Sequence, residues 1–85
     1  MRITVYTKPN CVQCRFTYKK LDDLEAEYDL VYMTEDPDAL AYIQSLGYKQ
    51  APVVVAGEQH WGGYAPDKLA WAAAQQTINR QETPE

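Results

Sequence analysis

Cys11-Val12-Gln13-Cys14 stands between two segments of different period. Before it, Ile3-Thr4-Val5-Tyr6-Thr7 alternates and is β-branched, which predicts a strand. After it, Thr17, Leu21, Leu24 and Tyr28 recur every three or four residues, the spacing of a buried helix face running from Val12 towards Tyr28. Lys8-Pro9-Asn10 supplies the turn between them. These are the only two cysteines in 85 residues. A disulfide-stapled miniprotein is therefore excluded, and one intramolecular disulfide or a share of one metal site is left.

The junction gives the cysteines unequal chemistry. Cys11 falls at the helix N-terminus, beside unpaired N–H groups and the positive end of the helix dipole, and both favour a thiolate. Lys8 and Arg15 add positive potential, so the Cys11 thiol is expected below its free pKa. Cys14 lies one turn inside, more buried and protonated, yet on the same helix face. Activation alone brings little. A fall from ~8.5 to ~7 raises the thiolate roughly sixteenfold near neutral pH, and a Brønsted slope of ~0.5 takes back about sixfold, for a net gain of about threefold. Proximity brings more, because Cys14 can attack a Cys11 mixed disulfide intramolecularly at high effective molarity.

Charge narrows the function classes. The formal net charge is −4, so nucleic-acid binding is not expected. The start, MRITVYTKPN, has no apolar signal region, and the longest apolar run, Ala51 to Ala56, is far below the ~20 residues of a membrane span. A soluble, unexported, cytoplasmic protein is expected, acting as a monomer without membrane contact. In a reducing compartment a lasting structural disulfide is disfavoured, so C-x-x-C calls for a redox or metal explanation. Residues 1–21 hold five bases (Arg2, Lys8, Arg15, Lys19 and Lys20) and no acid, while the rest carries three bases and twelve acids. Bases in the first half of a helix and acids in the second oppose its dipole, at ~0.3–1 kcal/mol for each charge near an end. Lys19/Asp23 and Lys20/Asp23 pairs offset only part of this.

The core must be thin. Of 39 apolar residues seven are Tyr, ten Ala and two Cys. Leu30 to Met33 predicts a second strand. Asp36-Pro37 predicts a helix start, with Ala39, Ile43 and Leu46 facing inward and Gly47 ending the helix. Pro52-Val53-Val54-Val55-Ala56 has the character of a strand buried on both faces, with Gln59-His60-Trp61 as its hairpin partner beyond Gly57-Glu58 and Gly62-Gly63 as the close. Pro66 opens a third helix in which Leu69, Ala72, Ala73 and Gln76 line one face. The order βαβαββα predicts an α/β fold with a four-stranded mixed sheet flanked by three helices. Residues 1–79 form the domain, and residues 80–85 are expected to be a frayed tail.

Other readings of the site residues stay open on this basis. C-x-x-C is half of a four-ligand site and His60 is the only other good ligand, so zinc or an iron–sulfur cluster would have to be shared between two copies. His60 otherwise fits a surface strand position. Trp61 fits either the core or an exposed contact anchor. At Ala51-Pro52 the statistics of X-Pro bonds favour trans.

Three motifs, in order, carry a family resemblance over residues 1 to about 75. Val5-Tyr6-Thr7-Lys8-Pro9-Asn10-Cys11-Val12-Gln13-Cys14 resembles the NrdH-redoxins, glutaredoxin-like proteins of the thioredoxin fold with a C-V-Q-C centre. Leu46-Gly47-Tyr48 followed by Gln50-Ala51-Pro52-Val53-Val54 is similar to the segment in which that family places a cis-proline. His60-Trp61-Gly62-Gly63-Tyr64-Ala65-Pro66-Asp67 resembles its H-W-S-G-F-R-P-D signature, with Gly62 in place of Ser, Tyr64 in place of Phe and Ala65 in place of Arg. The resemblance implies a dithiol–disulfide oxidoreductase that donates electrons to the large subunit of class Ib ribonucleotide reductase. Its own reduction would come from NADPH through thioredoxin reductase, with no bound cofactor and no metal. Cys11 would attack, Cys14 would resolve, and Pro52 would shape a substrate groove with Lys8, Val12, Gln13, Ala51, Gly62 and Gly63, while Trp61 would belong to a surface patch touching the reductase. Gly62-Gly63 also resembles the pair with which glutaredoxins approach glutathione, but the acidic pair expected after it is missing. A glutathione-dependent glutaredoxin is the alternative.

Overall fold

The computed structural model describes residues 1–82, with side chains through Gln76. The elements are β1 (Ile3–Thr7), α1 (Val12–Asp23), β2 (Tyr28–Tyr32), α2 (Pro37–Ser45), β3 (Val53–Ala56), β4 (Gln59–Gly62) and α3 (Pro66–Glu82). The four strands make one mixed sheet in the order β2-β1-β3-β4. β1 runs parallel to β2 and antiparallel to β3, and β4 pairs antiparallel with β3. This is the βαβαββα architecture expected from the sequence. α3 reaches Glu82, past the expected boundary at Asn79, and residues 83–85 of the expected tail lie outside the described residues.

Alternation along the strands builds two cores. Ile3, Val5, Val54, Ala56 and Trp61 meet Leu21 of α1 and Leu69 and Ala72 of α3 on one face. Val53 meets Ile43 of α2 and Met33 on the other, with Tyr6, Tyr48 and Ala51 packed around them. Asp36 caps α2, its Oδ1 accepting the backbone N–H groups of Asp38 and Ala39 at 3.1 Å each. Leu69, Ala72, Ala73 and Gln76 are all buried, so the inner face of α3 is the one its spacing defines.

The first helix is shorter than its periodicity suggests. α1 stops at Asp23 because Glu25 turns into the left-handed region (φ 58°) and Leu24 closes the helix. The Glu25 N–H donates to Asp22 O (3.0 Å) and the Ala26 N–H to Leu21 O (2.9 Å), the paired bonds of a Schellman cap. Tyr28 therefore leads β2, opposite Ile3, instead of extending the helix. Met33 falls just beyond β2 and is buried all the same.

Tyr28 still touches α1, its hydroxyl donating to Asp22 Oδ1 at 2.7 Å. Burial, followed by that hydrogen bond and the repulsion between carboxylate and phenolate, pushes its pKa from 10.0 up to about 12. The folded-state value is raised, so this contribution to stability is complete below pH 10.0 and is lost as pH rises through about 12. The stability advantage of the native protein over Tyr28→Phe should shrink across that window. Urea unfolding of both proteins at each end of it is the measurement, and an advantage that grew with pH would contradict the assignment.

Candidate active site

The loop after β1 delivers Cys11 to the start of α1. Asn10 takes a left-handed conformation (φ 59°), which its short polar side chain tolerates. Cys11 is then extended and serves as the N-cap. Its carbonyl accepts the Arg15 N–H (3.2 Å) and its Sγ accepts the Cys14 N–H (3.1 Å). Sulfur thus occupies the place that a Ser or Asp oxygen takes in an ordinary cap. No acid lies in the first turn of α1.

Cys11 and Cys14 are joined as a disulfide, with Cα atoms 5.2 Å apart. Cys14 is fully buried, whereas Cys11 keeps 9 % of its surface. Access therefore separates the two sulfurs. An incoming group reaches Cys11, and Cys14 can act only on what Cys11 already holds. Among the described residues no group of three or more His, Cys, Asp or Glu is placed to hold a metal ion.

Next to the helix start lies an open groove of about 360 Å³, lined by Gln13, the segment Gly47 to Ala51, Gly62 and Gly63. The Ala51–Pro52 peptide is cis, against X-Pro statistics and in line with the family resemblance. The Pro52 side chain is fully buried, and its carbonyl accepts the Gly63 N–H at 2.8 Å. Gln13, from between the two cysteines, accepts the Tyr64 N–H through Oε1 (3.3 Å). The C-x-x-C turn is thereby latched to the loop after β4.

Of the residues singled out in the sequence, Gln13, Ala51, Gly62 and Gly63 meet at this groove, with Pro52 behind it. Lys8 and Val12 are exposed and do not line it. Trp61 requires a correction. It is 5 % exposed and belongs to the core shared by α1 and α3, because pairing opposite Val54 turns it to the inner face. Its Nε1 finds no hydrogen-bond partner, and Lys68 Nζ sits 5.8 Å from the ring centroid. The exposed indole near it is Trp71, across a groove of about 430 Å³ between β4 and α3.

Gly47, Tyr48, Lys49 and Gln50 also line the groove and were not among the site residues expected from the sequence; of these, Tyr48 makes the contacts that shape it. Its hydroxyl is 2.7 Å from His60 Nδ1, and the two rings meet edge-on. His60 is thus an exposed strand residue engaged by a tyrosine. A Cβ at position 62 would come within 3.1 and 3.2 Å of the Tyr48 ring, so Gly62 leaves room for that ring.

Comparison with known protein families matches residues 3–61 to Glutaredoxin. The chain belongs to the glutaredoxin family. Within it the chain is similar to the glutaredoxin-like protein NrdH of Salmonella typhimurium, at 39 % identity over 69 residues, covering 81 % of this chain and 85 % of that one. The Gene 56 protein of Mycobacterium phage D29 is 39 % identical over 71 residues, covering 79 % of this chain and 77 % of its own. Among solved structures, the NrdH-redoxin of Escherichia coli superimposes with a TM-score of 0.79 at 29 % identity, covering 100 % of this chain and 99 % of that one. The protein is therefore an NrdH-like redoxin whose cysteine pair forms a disulfide, a thiol–disulfide redox protein in the general sense.

Proposed function

We propose that this redoxin is a cytoplasmic electron donor to protein disulfides, with class Ib ribonucleotide reductase as its acceptor and thioredoxin reductase as its source of electrons from NADPH. The observation that carries the reading is the disulfide at the N-terminus of α1 with one reachable sulfur and one buried sulfur. The Cys11 thiolate attacks a partner disulfide, forming a mixed disulfide and releasing one partner thiol. Cys14 then attacks Cys11 Sγ, releasing the second partner thiol and closing the Cys11–Cys14 disulfide. Two electrons and two protons pass to the partner. The Cys14 N–H donated to Cys11 Sγ and the dipole of α1 favour the thiolate in the first step.

Two points favour thioredoxin reductase over glutathione as donor. The acidic pair that glutaredoxins place soon after the two glycines is replaced here by Tyr64, Ala65 and Pro66 before Asp67. The similar Escherichia coli NrdH-redoxin is described as having a thioredoxin-like activity profile. The test runs NADPH oxidation with this protein and a disulfide substrate in two mixtures, one with thioredoxin reductase and one with glutathione and glutathione reductase. Turnover is expected in the first. Turnover confined to the second would replace the proposal with a glutathione-dependent glutaredoxin.

A further inference from the structure

The outer face of α1 carries a pattern that folding does not use. Cys14, Thr17 and Leu21 define the buried side, and at helical spacing Val12, Arg15, Phe16 and Lys19 share the opposite one. Val12 and Phe16 are 54 % and 51 % exposed, the highest values among the exposed large apolar side chains described. Tyr64 extends the strip beyond the helix, its ring centroid 5.7 Å from that of Phe16. Lys8, Arg15 and Lys19 are exposed around it. Among the described residues the only ion pair within 4.0 Å is Arg2 with Asp29, so the expected Lys19/Asp23 and Lys20/Asp23 pairs do not form.

Two separate local costs thus fall on one helix face beginning at the residue after Cys11. Apolar rings stand in water, and Arg15, without a carboxylate partner, occupies the first half of a helix with no acid in its first turn. A single occupant relieves both. We infer that this strip docks an acidic segment with an apolar side chain, adjoining the disulfide of the protein substrate. The inference rests on the redox function proposed above and names the chemistry of its partner. Charge chooses this occupant: Lys8, Arg15 and Lys19 are exposed around the strip and have no carboxylate within 4.0 Å among the described residues, whereas residues 22–85 contain twelve acids against three bases. An acidic segment is repelled from most of the molecule and drawn to this end, which orients it towards Cys11. The electron balance is unchanged: the partner disulfide becomes two thiols as Cys11 and Cys14 become a disulfide.

The test mixes the full-length protein, pre-reduced with a small dithiol that is then removed, with three disulfide peptides. All share one Cys-Cys loop and an adjacent leucine, flanked by glutamates, lysines or serines. Thiol appearance at low salt gives the rates. The glutamate peptide is expected to react about tenfold faster than the serine peptide and the lysine peptide more slowly, with the gap closing at high salt. Lys19→Glu should abolish the preference for the glutamate peptide while leaving the serine peptide within about twofold of its rate, because position 19 lies two turns from Cys11. Phe16→Ser should slow both peptides. Equal wild-type rates for glutamate and lysine peptides, or an unchanged preference in Lys19→Glu, overturn the docking inference while the redox function stands. Failure to reduce any peptide overturns both.

Discussion

Cys11→Ser will abolish reduction of every disulfide substrate, and Cys14→Ser will trap the protein as a one-to-one mixed disulfide. The difference follows from access and chemistry together. Cys11 keeps 9 % of its surface and Cys14 none, so only the first sulfur can meet an outside disulfide. A serine hydroxyl is not ionised near neutral pH and cannot replace the thiolate. The fold should survive the change, because serine at an N-cap accepts the N–H that Cys11 Sγ now accepts from Cys14 at 3.1 Å. Loss of activity is then a chemical effect. In Cys14→Ser the attack still proceeds, but the intermediate waits for an external thiol in place of a neighbour one helical turn away. Given typical effective molarities, turnover should fall on the order of a hundredfold or more. Intact-mass measurement should show the adduct on Cys14→Ser and none on Cys11→Ser. Turnover retained by Cys11→Ser would remove Cys11 from its role.

What the sequence disclosed and what it hid have local physical reasons. β1, the capped start of α2, the β3–β4 hairpin and the inner face of α3 were legible because each rests on residues within a few positions of one another. The end of α1 was not, because the residue that turns left-handed there is Glu25 and not the glycine that usually marks such a cap. Tyr28 then satisfied the helical period and the strand alternation equally. The burial of Trp61 had a readable signal. A two-residue turn at Gly57-Glu58 fixes Trp61 opposite Val54, on the face where Val5 and Ile3 are buried. At the active site, the roles of Cys11 and Cys14 follow from three residues of spacing and a helix start. The contacts of Tyr48 with His60 and Gly62, and of Gln13 with Tyr64, join segments that only tertiary structure brings together.

Gln76→Leu should destabilise the protein by about 2–4 kcal/mol, although the substitution keeps most of the side-chain volume. Gln76 is 6 % exposed on the inner face of α3 and acts as a bridge between distant segments. Its Oε1 accepts the Glu27 N–H at 2.9 Å, and its Nε2 donates to Glu27 O at 2.6 Å and to Met1 O at 3.0 Å. One amide thereby satisfies both backbone groups at the approach to β2 and ties the chain start to the last helix. Leucine would leave those groups without partners, at about 1–3 kcal/mol for each that stays dry. Water can reach part of the cleft that Gln76 shares with Arg2 and Asp29, so the sum falls short of three full penalties. Against a total stability of about 5–10 kcal/mol for a small domain, the loss is large. Gln76→Glu should cost more near neutral pH, because an anion would face two carbonyl oxygens, and should recover as pH falls and the carboxyl regains a donor. Urea unfolding of the three proteins measures both effects. A Gln76→Leu midpoint within error of the native one would mean that the bridge contributes nothing. Disulfide exchange by the folded fraction should be unchanged, since the partners of Gln76 lie outside the groove beside Cys11.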